Sequence, residues 1–163
     1  MLVVLAAPTA EDTRAIGAAL APLLRPGDAV ALAGELGAGK TTFVQGVARA
    51  LGYEGPVGSP TFALVREYRA PALTLLHADV YRLDRVQEVV DLGLQEMLEE
   101  DQVLLVEWGD AVETLLPDDH LIVELTLLGE GEERAVSIRP VGTGWASRWE
   151  GLEQAVHRWS VAS

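Results

Sequence analysis

The chain has no cysteine, so disulfides, thiol catalysis and thiolate metal sites are excluded, and it carries no redox information of its own. Basic charge is scarce: twelve Lys and Arg face twenty-five Asp and Glu, a formal charge of −13. That balance disfavours unaided binding to a polyanionic nucleic acid or an anionic membrane, so any nucleic acid in the reaction is expected to be held by another subunit. Membrane-length apolar runs are missing too. The opening Met1-Leu2-Val3-Val4-Leu5-Ala6-Ala7 is apolar, but it lacks a basic n-region and soon meets Glu11 and Asp12, so it does not read as a secretory signal. Cytoplasmic residence is the expectation. Internal repeats, charge blocks and low-complexity linkers are also absent.

What remains is 163 residues, 49% of them hydrophobic, enough for a single domain spanning 1–163 with a real core. Lysine occurs once, at Lys40, within Gly34-Glu35-Leu36-Gly37-Ala38-Gly39-Lys40-Thr41, which reads G-x-x-x-x-G-K-[ST]. Everywhere else the basic side chain is arginine. A position reserved for lysine in such a chain needs a compact ammonium rather than a broad guanidinium fork. A phosphate cradle has that need. Glycines let backbone N–H groups turn inward around phosphates, the lysine reaches the β/γ oxygens, and the Thr41 hydroxyl ligates Mg²⁺. A chance match in a chain this long arises about once in a hundred or less. The context fits as well. The apolar run Asp28 to Ala33 reads as a buried strand before the motif, and Phe43, Val44, Val47, Ala48 and Leu51 repeat at helical spacing after it.

Around this unit, Thr9 caps a helix running to about Leu24, stopped by Pro26-Gly27. Thr61 to Tyr68 and Leu73 to His77 read as strands joined by a turn at Ala70-Pro71. Asp84 to Leu98 reads as a helix broken near Gly93, and Val103 to Val106 as a buried strand. Leu121 to Leu127 and Arg134 to Ile138 flank Gly129-Glu130-Gly131 as a hairpin, before an amphipathic helix from about Ser147 to Trp159. The expected fold is α/β: a P-loop NTPase-like three-layer sandwich with a mixed, mostly parallel central sheet and a C-terminal hairpin.

Three further segments carry chemistry. Val103-Leu104-Leu105-Val106-Glu107-Trp108 delivers a carboxylate to the carboxyl edge of the sheet, a Walker B position with Glu where Asp is more usual. There Glu107 binds Mg²⁺ directly or through water, facing Thr41; a solvated strand-end Glu is the plainer alternative. In His77-Ala78-Asp79-Val80-Tyr81-Arg82, Asp79 is placed to position a metal-bound or attacking water and Arg82 to meet developing phosphate charge, against the alternative of a strand-to-turn Asp with a surface Arg. No second His lies at ligand spacing, so His77 reads as a satisfied core or supporting histidine rather than a metal ligand. Gly58-Ser59-Pro60-Thr61-Phe62 stands where P-loop proteins often carry a nucleotide-sensing switch, or it is an ordinary loop with a strand-starting Pro-Thr.

Together, the phosphate loop from Gly34, Ser59-Pro60-Thr61-Phe62, His77-Ala78-Asp79-Val80-Tyr81-Arg82-Leu83 and Val106-Glu107-Trp108 resemble the TsaE family in order and spacing, from about Thr9 to the hairpin. These are small bacterial ATPases needed for N6-threonylcarbamoyladenosine at position 37 of tRNA. The resemblance implies ATP and Mg²⁺ as ligands and the TsaB and TsaD subunits as partners, with tRNA met only indirectly through the complex and no membrane. It gives Glu35, Leu36, Gly37, Ala38, Gly39, Lys40 and Thr41 the phosphate and metal roles, Thr42 the α-phosphate, and Glu107 the Walker B acid. Asp79 matches the family's other essential carboxylate at the metal, Trp108 the tryptophan beside the nucleotide, and Thr13 and Arg134 the residues holding the base. Lys40, Asp79 and Glu107 are thus the catalytic set, and Thr41, Glu107 and Asp79 the metal set.

The expected chemistry is in-line attack of water on the γ-phosphate, slow alone and stimulated by partners, because no arginine is assignable as a finger. Two other classes stay open. A small-molecule kinase needs a lid of phosphate-facing arginines, whereas Arg66, Arg69, Arg82 and Arg85 are scattered around strands. A nucleotide-gated binding module would switch partner affinity by occupancy alone. The terminal segment, with Trp145, Trp149 and Trp159, reads as a core-facing helix in preference to a docking surface.

Overall fold

A computed structural model describes residues 1–58, 65–80, 102–108, 113–114 and 116–161. The expected helix 84–98, the segment 59–62 and Tyr81 and Arg82 lie outside the described residues.

Seven strands form one sheet in the order β1-β7-β6-β2-β5-β4-β3. They are β1 (Val3–Ala7), β2 (Ala29–Ala33), β3 (Val65–Arg69), β4 (Thr74–Asp79), β5 (Gln102–Glu107), β6 (His120–Leu127) and β7 (Arg134–Val141). The central β6-β2-β5-β4 pairings are parallel, and β3, β7 and β1 join antiparallel at the flanks. Strands β2 and β5 are buried almost throughout and contain little but Val, Leu and Ala, as parallel strands covered on both faces require. Strand β2 lies between β5 and β6, with β3, β4 and β5 laid down on one side of it and β6 and β7 on the other. The crevice beyond their carboxyl ends is therefore a topological switch point, where open α/β sheets bind ligands.

Helices α1 (Ala10–Leu20) and α2 (Lys40–Ala50) cover the face carrying Val30, Leu32, Leu75, Leu105 and Val123. Thr9 opens α1 with a reciprocal capping box to Asp12. The two helices approach closely enough that a Cβ at Gly46 would overlap the Arg14 carbonyl, so glycine is required there. Helix α1 ends at Leu20 instead of continuing to Leu24, because Pro22 has no N–H to extend the ladder and Ala21–Leu23 tightens into a 3-10 turn. The opposite face carries a second core of Ala29, Ala31, Leu76, Leu104 and Val106.

The expected terminal helix is divided into a 3-10 turn at Ala146–Arg148, helix α3 (Trp149–Ala155) and another turn at His157–Trp159. Its tryptophans Trp145, Trp149 and Trp159 are buried, as a core-facing segment demands. Arg148 stacks on Trp145, forks onto Asp28 at 2.6 and 3.2 Å, and donates to the carbonyls of Leu23 and Gly144. The apolar opening of the chain is strand β1, paired with β7, and Ser160 and Val161 add to its free edge. Among the described residues, no helix is long and apolar enough to cross a membrane.

Candidate functional site

Strand β2 ends at Ala33, and the next six residues form the loop that launches α2 at Lys40. Gly34, Gly37 and Gly39 have φ of +141°, +82° and +101°, conformations that side chains rarely adopt, and a Cβ at Gly34 would overlap the Leu125 carbonyl. The glycine spacing of the motif is thus a backbone requirement. Lys40 is buried at 4% exposure, donates to the Gly34 and Glu35 carbonyls at 2.7 and 2.8 Å, and lies 3.8 Å from the centroid of the Trp108 ring. The ammonium is held by neutral oxygens of its own loop, contacts that a phosphate dianion can outcompete.

Trp108 is the one described non-glycine residue with positive φ, at 64°. Its N–H donates to Leu32 O at 2.7 Å. Strain of this kind costs on the order of 1–3 kcal/mol and persists where the surroundings enforce it. Here it turns the indole onto Lys40, immediately after Glu107.

Glu107 ends β5 buried at 3% exposure. Its Oε2 accepts from Thr41 Oγ1 at 2.9 Å and meets His77 Nε2 at 2.5 Å. The Thr41 proton is thereby directed to the carboxylate. A hydroxyl beside a buried carboxylate fits Mg²⁺, which takes few protein oxygens and completes its shell with phosphate and water. Asp79 is the register partner of Glu107 on adjacent parallel strands, so both carboxylates stand on one face at one sheet edge.

A cavity of about 380 Å³ is lined by Leu36, Gly37, Gly39, Lys40, Thr41, Thr42, Asp79, Glu107 and Trp108. The structure therefore brings together the predicted phosphate, metal and catalytic residues around one space. Glu35 contributes its carbonyl to Lys40, while Leu36 projects outward at 74% exposure. A neighbouring cavity of about 220 Å³ takes in Ala10, Thr13, Gly39, Thr42, Glu132 and Arg134. Thr13 Oγ1 is buried there with no hydrogen-bond partner, an orphaned group suited to a polar ligand edge. Arg134 reaches from β7 to the loop, donating to Ala38 O at 3.0 Å and Gly37 O at 3.1 Å. It therefore braces the loop's carbonyl side as well as lining the second cavity.

Tyr68 was not singled out by the sequence. Its hydroxyl donates to Gly58 O at 3.1 Å and lies 3.0 Å from His77 Nδ1. Burial pushes the Tyr68 phenol above its ordinary value, so the hydroxyl keeps its hydrogen. His77 is wholly buried, and its partners identify it as a support to Glu107. The β3 sequence Val65–Arg69 does not alternate apolar and polar residues, so nothing local marked Tyr68 as inward-facing.

Comparison with known proteins agrees with this arrangement. The family model of the threonylcarbamoyl adenosine biosynthesis protein TsaE matches residues 7–136. The tRNA threonylcarbamoyladenosine biosynthesis protein TsaE of Bacillus subtilis is 40% identical over 144 residues, 88% of this chain and 89% of the relative. That of Streptomyces coelicolor is 42% identical over 142 residues, 82% and 94% of the two chains. The crystal structure of Bacillus subtilis YdiB superposes with a TM-score of 0.77 at 35% identity, covering 97% of this chain and 95% of that one. The mixed seven-stranded sheet matches that solved structure, and the chain belongs to the TsaE family.

Proposed function

We propose that the protein is a single-domain, cytoplasmic, Mg²⁺-dependent ATPase that acts with the TsaB and TsaD subunits in forming N6-threonylcarbamoyladenosine at tRNA position 37. The Thr41–Glu107 hydrogen bond at the mouth of the phosphate loop carries this reading. It sets a hydroxyl and a carboxylate side by side at the edge of the loop, where they would hold a phosphate-bound cation. Gly37 to Lys40 cradle the phosphates with backbone N–H groups and the ammonium, and Thr42 stands toward the α-phosphate. Thr13 and Arg134 hold the base in the second cavity. Asp79 orients the attacking water and Glu107 and Thr41 hold the ion. Mg²⁺, when bound, offsets charge on the β- and γ-oxygens. Catalysis is then positioning and charge stabilisation around in-line attack by water.

The net charge of −13 supports indirect contact with tRNA, since the chain repels a polyanion unless a partner holds it. Hydrolysis by the protein alone is slow and rises when TsaB and TsaD complete the site. The test is a reconstituted modification assay with tRNA in excess over protein. Wild-type protein sustains many rounds, and Glu107→Ala, which keeps ATP binding but loses hydrolysis, stops after about one. Sustained turnover by Glu107→Ala would replace the ATPase reading with a nucleotide-gated module.

A further inference from the structure

A strand buried between two apolar layers has little reason to carry an imidazole. Leu75, two residues before His77 on the same face of β4, and Leu105, its register partner on β5, are both wholly buried hydrophobes. His77 is equally inaccessible at 0% exposure, so both ring nitrogens must be satisfied inside the protein. They are satisfied in opposite directions: Nε2 at 2.5 Å from Glu107 Oε2, and Nδ1 at 3.0 Å from the Tyr68 hydroxyl. The Tyr68 hydroxyl in turn donates a hydrogen bond to Gly58 O. An unbroken chain of polar contacts thus runs from Thr41 through Glu107, His77 and Tyr68 to the backbone at Gly58.

The same loop has a second tie. Gln45, one helical turn beyond Thr41 on α2, donates to Val57 O at 3.1 Å and accepts from Arg14 Nε. Two successive carbonyls, at Val57 and Gly58, are therefore gripped by residues that descend from the phosphate-loop helix and from the Glu107 carboxylate. We propose that His77 and Tyr68 are positioning residues that fix the Glu107 carboxylate and couple its engagement with a phosphate-bound cation to the backbone at Val57–Gly58. This rests on the Mg²⁺-ATP reading of the site and deepens it.

The physical reason is the rigidity of a fully satisfied buried network. A carboxylate that turns toward a cation either carries the imidazole with it or gives up the Nε2 contact. The imidazole is anchored on its other nitrogen by Tyr68, so either movement reaches the hydroxyl and the Gly58 carbonyl. Gly58 opens the sequence Gly58-Ser59-Pro60-Thr61-Phe62, the stretch whose composition suggested a nucleotide-sensing switch. The relay gives that stretch a physical connection to the metal ligand.

Backbone hydrogen exchange between Tyr53 and Gly58, read alongside ATP affinity with and without Mg²⁺, tests the coupling. In the wild type, ATP with Mg²⁺ changes exchange in this segment several-fold, and ATP without Mg²⁺ does not. Tyr68→Phe keeps ATP affinity within about threefold and loses the Mg²⁺-dependent change, because one neutral hydrogen bond remote from the phosphates is removed. His77→Gln retains an N–H toward Glu107 and so keeps the Mg²⁺ requirement, but loses the loop response. His77→Leu loses the loop response and also needs more Mg²⁺, its half-saturating concentration rising about tenfold, as removal of one charge-assisted hydrogen bond predicts. A loop response in Tyr68→Phe equal to that of the wild type overturns the coupling, and an unchanged Mg²⁺ requirement in folded His77→Leu overturns the positioning role. A wild type that binds Mg²⁺-ATP with no change between Tyr53 and Gly58 sinks this proposal alone. A wild type whose ATP binding ignores Mg²⁺ sinks the functional reading with it.

Discussion

Lys40 and Arg148 are both buried cations, each 3.8 Å from the centroid of a tryptophan ring, yet they are held in opposite ways. Arg148 forks onto the Asp28 carboxylate and donates to the distant Leu23 carbonyl and the nearby Gly144 carbonyl, locking the C-terminal cap onto the turn before β2. Lys40 donates to carbonyls of its own loop, five and six residues away. A cation held by a partner of full opposite charge is fixed by the folded state. Carbonyls of a cation's own loop are contacts that a phosphate can replace. The cap region thus devotes its buried polar groups to stability, whereas the phosphate-loop edge keeps its own arranged for a ligand.

Substitutions separate the two regions. The largest effect is expected at Asp28→Ala, which strands the Arg148 guanidinium in the interior; breaking such a pair costs about 3–5 kcal/mol. Thermal unfolding should show Tm lower by about 6–20 °C, since a domain of this size loses roughly 2–4 °C per kcal/mol. ATP affinity at low temperature should be unchanged. Lys40→Ala inverts that pattern. ATP affinity falls about 100-fold or more, as loss of two charge-assisted phosphate contacts predicts, while Tm moves by only a degree or two. Equal Tm losses in the two variants would erase the distinction.

Gly46→Ala forces α1 away from α2 and costs about 1–3 kcal/mol by overpacking. Because α1 carries Thr13 and α2 carries Thr42, the two sides of the second cavity, ATP affinity should fall alongside Tm. Denaturant titration and calorimetry on one sample would expose any uncoupling.

The smallest effect lies at the start of α1. The Trp159 indole N–H, followed by the Thr9 hydroxyl, holds the Asp12 carboxyl below its ordinary value. A depressed folded-state value contributes stability above the unfolded carboxylate value, and that contribution disappears as pH falls through the folded one. Trp159→Phe removes the indole donor together with part of the packing, Asp12→Asn removes the charge that both the cap and the indole meet, and Thr9→Ala acts on the cap alone; the last two each cost about 1 kcal/mol near neutrality. For Asp12→Asn, the deficit in unfolding free energy should hold from pH 5 to 8 and shrink below about pH 4. A deficit independent of pH would assign the loss to the cap geometry rather than the charge.

Much of the site was legible because its constraints are local. The glycines at 34, 37 and 39 sit at positive φ, so their spacing reports backbone geometry directly. A run of four apolar residues ending in Glu107 reports a buried strand reaching the sheet edge. Contacts that depend on register between distant strands left no such mark. The pairing of Asp79 with Glu107, and with it the closeness of His77, follows from how β4 lies beside β5. Strand β1 escaped notice because Leu2 and Val4 are apolar yet exposed, which hides the alternation of the buried Val3, Leu5 and Ala7. The Arg148–Asp28 clamp joins residues 120 positions apart, and nothing near either one announces the other.

The most direct test of the central claim is Mg²⁺-dependent phosphate release from ATP by the purified protein, alone and with TsaB and TsaD added. Slow release alone, acceleration by the partners and loss in Lys40→Ala are the predicted results. Tight ATP binding with no release under either condition, or wild-type release by Lys40→Ala, would contradict the assignment of this edge as an ATPase site.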